Sequence, residues 1–281
     1  MPRLALIALL MLAYASPVLI AAQEEAGAGG LKQKYEEIRA QLEKSAFGRP
    51  LHLDSGDANG KMSGDVYAVL DHPFKRVSDG LGSAKQWCEV LVLPFNVQKC
   101  DSDGGKGLTL HIGRKPTSPI EEATKINFSY AVPARSADHL QVKLAAPTGP
   151  AGTKDYLITF AATPLDDKRT MVHMHYGYST GTMSQMAMKA YLSTSGADKV
   201  GFTSENGKLV GGTRGIMERN TMRYFLAIDA YLDTLGQPAA ARLDKWFGST
   251  EKYAKQLREM SREEYLAVKQ GNGAPKEKVA G

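Results

Sequence analysis

Between residues 108 and 178 the chain alternates apolar and polar positions with a period of two, over and over. Leu108, Leu110 and Ile112 alternate with Thr109, His111 and Gly113. Ile126, Phe128 and Tyr130 alternate with Asn127 and Ser129, and Leu140, Val142 and Leu144 with Gln141 and Lys143. Tyr156, Ile158 and Phe160 continue the pattern, as do Val172, Met174, Tyr176 and Tyr178. This spacing predicts five strands with one buried and one wetter face. Segments rich in Pro, Gly, Asp or Ser at 115–119, 133–138, 147–153 and 164–168 separate them. The gaps are too short for crossover helices, so the strands are antiparallel and form a meander.

After Tyr178 the period changes to that of a helix. Met183, Met186, Ala187, Ala190 and Tyr191 share one helical face. A glycine-rich connection through Gly201, Gly207, Gly211 and Gly212 leads to the longest amphipathic helix, expected over about 213–235. Met217, Tyr224, Ile228, Tyr231 and Leu235 line one side of it, with Phe225 and Leu226 broadening the stripe. Upstream, Leu31, Tyr35, Ile38 and Leu42 predict a helix that Gly48-Arg49-Pro50 ends. Strands are expected at Leu51 to Asp57, Val66 to Leu70 and Val90 to Phe95, with an Asn59-Gly60 turn and a helix opening at Pro73 and running to Leu81. Two helical stretches follow Pro238, the second opened by a Ser261 to Glu264 capping box.

The fold class that follows is α+β: a curved antiparallel meander packed on a long C-terminal helix, with further C-terminal helices. The expected division is a leader at 1–22, a linker and helix at 23–48, the sheet-and-helix domain at 50–236, a helical extension at 237–270 and a disordered tail at 271–281. The leader reading rests on Arg3, the apolar run Leu4 to Leu12, and small-residue cleavage positions at Ala22 or Ala15. Ser16-Pro17 interrupts the stretch before it reaches the roughly 20 apolar residues of a spanning helix. A periplasmic or secreted protein is expected, and in that compartment the only two cysteines, Cys88 and Cys100, are expected to pair.

The formal charge of +5 is spread along the chain. No Lys/Arg cluster interleaved with aromatics occurs, which argues against nucleic acid as a partner. A transient contact with a membrane surface is left open, and the sequence names no protein partner.

Several segments carry texture beyond periodicity. Gly64-Asp65-Val66-Tyr67-Ala68-Val69-Leu70-Asp71-His72-Pro73-Phe74 reads as a strand entering an early helix. Trp87-Cys88 follows soon after, Gly149 to Tyr156 (Gly-Pro-Ala-Gly-Thr-Lys-Asp-Tyr) as a late hairpin, and Gly215 to Tyr224 as the opening of the closing helix. With the element order, these segments make residues 50–236 resemble the helix-grip fold of the START-like (SRPBCC) lipid-binding superfamily, here as an exported bacterial-type member. The resemblance implies a cavity between sheet and helix that takes a hydrophobic or amphipathic small molecule, lipid-like in character. Some members of that superfamily carry lipids and others catalyse reactions. The insert at 181–212 and the extension after 236 depart from the pattern and bear on the cavity's mouth.

Candidate chemistry is sparse. Gly177-Tyr178-Ser179-Thr180-Gly181 matches Gly-x-Ser-x-Gly between a strand and a helix. All six histidines precede Ser179, however, so the Ser, acid, His order of an α/β-hydrolase is impossible, and a turn capping the next helix is the better reading. Asp101-Ser102-Asp103-Gly104 lacks the later ligands of a calcium loop. His173 and His175 share a strand face and could line a polar wall; as a metal pair they lack an evident third ligand. No catalytic residue, metal or cofactor is expected. The candidate ligand-binding residues are Arg219, Arg223, His173, His175, Tyr176, Tyr224, Tyr156 and Phe160, with Arg219 or Arg223 suited to a carboxylate or phosphate head. The competing readings are an enzyme, a cyclase or hydrolase, using His173, His175 or Glu218 in the same pocket, and an envelope module whose C-terminal helices recruit a protein.

Overall fold

The computed structural model describes residues 27–271; the expected leader and residues 272–281 of the expected tail lie outside them. A helix α1 (Ala28–Glu43) leads into the hairpin β1 (Leu51–Ala58) and β2 (Lys61–Leu70), then two short helices, α2 (Phe74–Gly80) and α3 (Ala84–Leu91). The meander is β3 (Val97–Ser102), β4 (Gly107–Ile112), β5 (Thr124–Arg135), β6 (Leu140–Thr148), β7 (Lys154–Pro164) and β8 (Thr170–Ser179). Next come α4 (Thr182–Leu192), the two-residue strands β9 (Ser204–Glu205) and β10 (Lys208–Leu209), and the 22-residue helix α5 (Gly212–Asp233). Three helices close the described chain: α6 (Ala239–Glu251), α7 (Ala254–Leu257) and α8 (Arg262–Lys269).

Eight strands pair antiparallel in the order β1-β2-β8-β7-β6-β5-β4-β3. Chain neighbours are sheet neighbours except where β2 meets β8, with Asp65 opposite His175 and Tyr67 opposite His173. The chain reaches the far edge, β3, by way of α2 and α3. Alternation has the expected consequence: Leu140, Val142 and Leu144 are wholly buried on the inner face while Lys143 faces water. Register shifts interrupt the β5–β6 ladder between Ala131 and Ala134, where Pro133 has no N–H to donate, and the β7–β8 ladder between Lys154 and Leu157. Such bulges increase local twist and help the sheet wrap its helix. The architecture is α+β helix-grip.

Gly64 on β2 lies tight against α5. A Cβ there would stand 2.1 Å from Thr221 Oγ1 of α5, so any larger residue forces the Thr221 side chain to give way. The main core runs from the inner sheet face through α2, α3 and α5, with Trp87, Phe160, Phe225, Leu110 and Leu140 completely enclosed. A smaller cluster lies on the outer sheet face, where Leu31, Ile38 and Leu42 of α1 cover Val69 and Met171.

Two expectations need correction. Residues 90–95 are not a strand. Ser83 caps α3 through Gln86 N, Trp87, Val90 and Leu91 bury at helical spacing, and the chain then turns into β3 at Val97. A short apolar run does not distinguish the two periods, and the helical cap decided it. The strand β2 also begins earlier than expected, at Lys61, directly after the Asn59-Gly60 turn whose residues both hold positive φ. The disulfide Cys88–Cys100 ties α3 to β3. The C-terminal helices pack on α5 and on the turn at 92–97: Trp246 Nε1 donates to Arg223 O at 3.1 Å and Tyr265 Oη to Leu93 O at 3.0 Å. Lys269 Nζ reaches three carbonyls of that turn, those of Val92, Pro94 and Val97.

Candidate functional site

Beside the N-terminal half of α5, on the β7–β8 side, lies a cavity of about 320 Å³. Alternation on β7 and β8 sends Tyr156, Tyr176 and Tyr178 into it from below. On α5, Ile216, Asn220, Arg223 and Tyr224 face it at i, i+4, i+7 and i+8. The helix α4 covers it with Ser184, Ala187, Met188 and Tyr191, again at helical spacing. Ile112 and Ile126 close the β4–β5 side, and the turns at 94–96 and 150–153 complete the rim.

Tyrosine rings dominate this wall. Tyr156 stacks on Tyr178 with centroids 5.2 Å apart, Tyr176 lies 5.1 Å from Tyr224, and Tyr156 is 6.3 Å from Tyr176. The Tyr156 hydroxyl meets Thr153 Oγ1 at 2.8 Å. Among the described residues the hydroxyls of Tyr176, Tyr178 and Tyr224 make no hydrogen bond, so they remain available to a molecule in the cavity. Burial raises the titration of all four phenols, most strongly at Tyr176. They therefore act as neutral hydroxyls throughout the physiological range.

Charge gathers beside this wall, on the far flank of α5. Glu259, in the short link between α7 and α8, accepts from Arg219 Nη2 at 2.7 Å and Arg223 Nη2 at 2.5 Å, and also pairs with Lys199 from the stretch after α4. Burial works to raise the Glu259 carboxyl, but Arg223 and Lys199 more than offset it and hold it at about 2. Arg223 also donates to Leu257 O and stands over the Phe95 ring, while its buried Nε has no partner. Burial lowers the titration of this guanidinium.

The candidate residues divide accordingly. Tyr156, Tyr176, Tyr224 and Arg223 line the cavity; Arg219, Phe160, His173 and His175 do not. Arg219 is almost wholly buried against Glu259. Phe160 faces inward but sits deeper along β7, edge-on to Trp87 at 6.0 Å in the solid core. His173 and His175 correct the expectation most clearly. They alternate with the inward Met174 and Tyr176 and so project from the outer sheet face. There His173 Nε2 and His175 Nδ1 lie 2.7 and 3.0 Å from one oxygen of Asp65, and Tyr67 stacks on His173 at 4.2 Å. Burial opposes ionisation of Asp65, and the two imidazoles outweigh it, holding the carboxyl well below the usual range.

Glu218, the other candidate acid or base, is enclosed and occupied. It accepts from Ser55 Oγ at 2.7 Å and from the amides of Phe202 and Thr203, where it fastens the 201–203 loop to α5. Ser179 ends β8 in backbone register with Lys61, and among the described residues no imidazole bonds to it. Of the residues read as sharing one face of α4, Ala187 and Tyr191 line the cavity, whereas Met183 and Met186 point to water at 71% and 68% exposure and Ser184 and Met188 turn inward. Tyr178, Tyr191, Asn220 and the Lys199 and Glu259 pair were not among the candidates. The strand alternation contained the signal for Tyr178 and the helical face that for Tyr191; nothing in the local sequence marks Glu259.

No family model matches this chain, and no curated protein matches it. Among solved structures it is similar to the ZhuI aromatase/cyclase of Streptomyces sp. R1128, at 13% identity and TM-score 0.37, covering 71% of this chain and 96% of that one. It is also similar to a norcoclaurine synthase point mutant of Thalictrum flavum, at 13% identity and TM-score 0.35 (50% and 89% covered). A START superfamily protein of Mycobacterium smegmatis matches at 12% identity and TM-score 0.31 (47% and 89%). Likenesses this distant assign no activity.

Proposed function

We propose that this protein binds a hydrophobic or amphipathic small molecule in the cavity between α5, α4 and the inner face of β7 and β8. The observation that carries the reading is the tyrosine-lined space of about 320 Å³ against the inner face of β7 and β8. That volume falls in the range of small-molecule sites, which combine apolar walls with a few polar groups that fix orientation. Apolar surface taken from water would supply affinity at about 25 cal/mol per Å². The free hydroxyls of Tyr176, Tyr178 and Tyr224, with Asn220 and Asn96, would orient the guest. The groups considered for acid–base catalysis, His173, His175 and Glu218, all lie off the cavity wall, which favours carriage over turnover.

Export is part of the proposal. It is supported by the leader-like stretch 1–22 and by the pairing of Cys88 with Cys100, which suits an oxidising compartment. Native mass spectrometry after mild extraction tests the binding reading: a retained small molecule is expected, lost on denaturation. A reproducibly empty protein that also ignores a broad lipid panel would defeat it. The mass of the protein recovered from its native compartment tests export, which requires loss of residues through Ala15 or Ala22.

A further inference from the structure

The ligand's charge can be argued from the cavity wall. This step rests on the binding reading above and sharpens it. Of the residues that line the cavity one alone is charged, Arg223, and no Asp or Glu joins it among the described residues. Arg223 belongs to a cluster in which Lys199, Arg219 and Arg223 share a single carboxylate, Glu259. Three cations against one anion leave positive charge uncompensated beside an apolar space. The Nε of Arg223 is buried without an acceptor, and a buried donor left unpaired is costly unless something supplies the missing acceptor. Neutral donors stand within the same wall: Asn220 and Tyr224 flank Arg223 on α5, and Tyr191 faces it from α4.

We propose that the cavity selects an amphipathic anion, an apolar chain or ring bearing a carboxylate, whose head is held at Arg223 where Glu259 now competes for the guanidinium. A carboxylate matches the guanidinium fork in geometry and charge, whereas an alcohol offers one weaker acceptor and an ammonium is repelled. Glu259 is then an internal rival of the ligand head and sets how tightly an anion binds. Its removal strengthens anion binding and leaves neutral binding alone.

Isothermal titration of the full chain with dodecanoate, 1-dodecanol and dodecylamine tests this. Dodecanoate is expected to bind about tenfold or more tightly than dodecanol, with dodecylamine weakest. Arg223→Gln should bring dodecanoate down to the level of dodecanol measured in the same variant. Glu259→Gln should tighten dodecanoate several-fold and leave dodecanol unchanged. Equal binding of dodecanoate and dodecanol to the unaltered protein overturns the head-group inference while the binding reading survives; failure of all three probes overturns both. Should Arg223→Gln not fold, Glu259→Gln still decides, because an unchanged dodecanoate affinity in that variant refutes competition for Arg223.

Discussion

The two halves of the α5–sheet interface are made from the same alternating strands, yet one is solid and the other hollow. Toward the C-terminal half of the helix, Phe225, Ile228 and Leu232 are fully buried in one continuous core with Phe160 and Trp87, under the cover of α2 and α3. Toward the N-terminal half, Ile216, Asn220 and Tyr224 look across a cavity at Tyr156, Tyr176 and Tyr178, under the cover of α4. Hydrocarbon side chains can interdigitate to crystal density without consequence. Tyrosine hydroxyls cannot be enclosed without a partner at little cost, so a wall of tyrosines resists collapse and stays open to a polar-tipped guest. The interface teaches that one pattern of alternation serves both purposes, and that residue chemistry at the inward positions selects between them.

The largest expected effect is at the solid end. Phe160→Ala should lower stability by about 3–5 kcal/mol, read by denaturant unfolding, through lost burial and a cavity that its neighbours cannot fill. A cost under about 1 kcal/mol would show that this end is loosely packed too and dissolve the contrast. Next comes the Cys88–Cys100 bridge, which spans 12 positions and anchors the 92–97 turn at the cavity rim. Replacing both cysteines by serine should cost about 3 kcal/mol in the chain-entropy account. Ligand affinity should fall as well, since Pro94 and Asn96 belong to the wall.

At the junction of the halves, Gly64→Ala forces a methyl group onto Thr221. An overpacking cost of about 1–3 kcal/mol is expected, partly relieved by adding Thr221→Ala. Smaller again is an acid effect confined to the open end. Glu259 titrates at about 2 in the folded protein against an ordinary 4.5, so its stabilising share is complete above about pH 4.5 and is lost as pH falls toward 2. Glu259→Gln should flatten that part of the pH–stability profile, and an unchanged profile would place the acid sensitivity elsewhere, at Asp65 beside its two imidazoles or at Asp233, held at about 2 by His72 and then Lys245. The smallest effect belongs to the cavity itself. Tyr176→Phe should change stability by no more than about 0.5 kcal/mol, because its hydroxyl bonds nothing within the protein, while altering ligand affinity. A large loss of stability would mean that this end is built for packing after all.

Much of the fold was legible along the chain. The meander, the closing helix and the capping box of α8 follow from spacing alone, because buried faces impose a period of 2 or 3.6 on apolar residues. The site was only half legible. Tyr156, Tyr176 and Tyr224 follow from inward alternation, but the same rule that sent them inward sent His173 and His175 to the other face, where Asp65 binds both. The two histidines, chosen for their chemistry and not for their parity, therefore stand off the cavity wall. Arg219 and Arg223 were read as suited to an anionic head group, and the anion the structure gives them, Glu259, lies 40 and 36 positions away.

By itself, then, the order of residues determined that a meander forms, which face of its strands is inward, and that an aromatic helix closes the sheet, since these depend on local periodicity. Only the tertiary structure decided that the interface is filled at one end and open at the other, that the C-terminal helices deliver a carboxylate to the two arginines, and that the histidine pair stands on the far side of the sheet from the cavity. Those outcomes depend on which distant segments meet, and a pattern repeated every two or four residues carries no record of partners dozens of positions away.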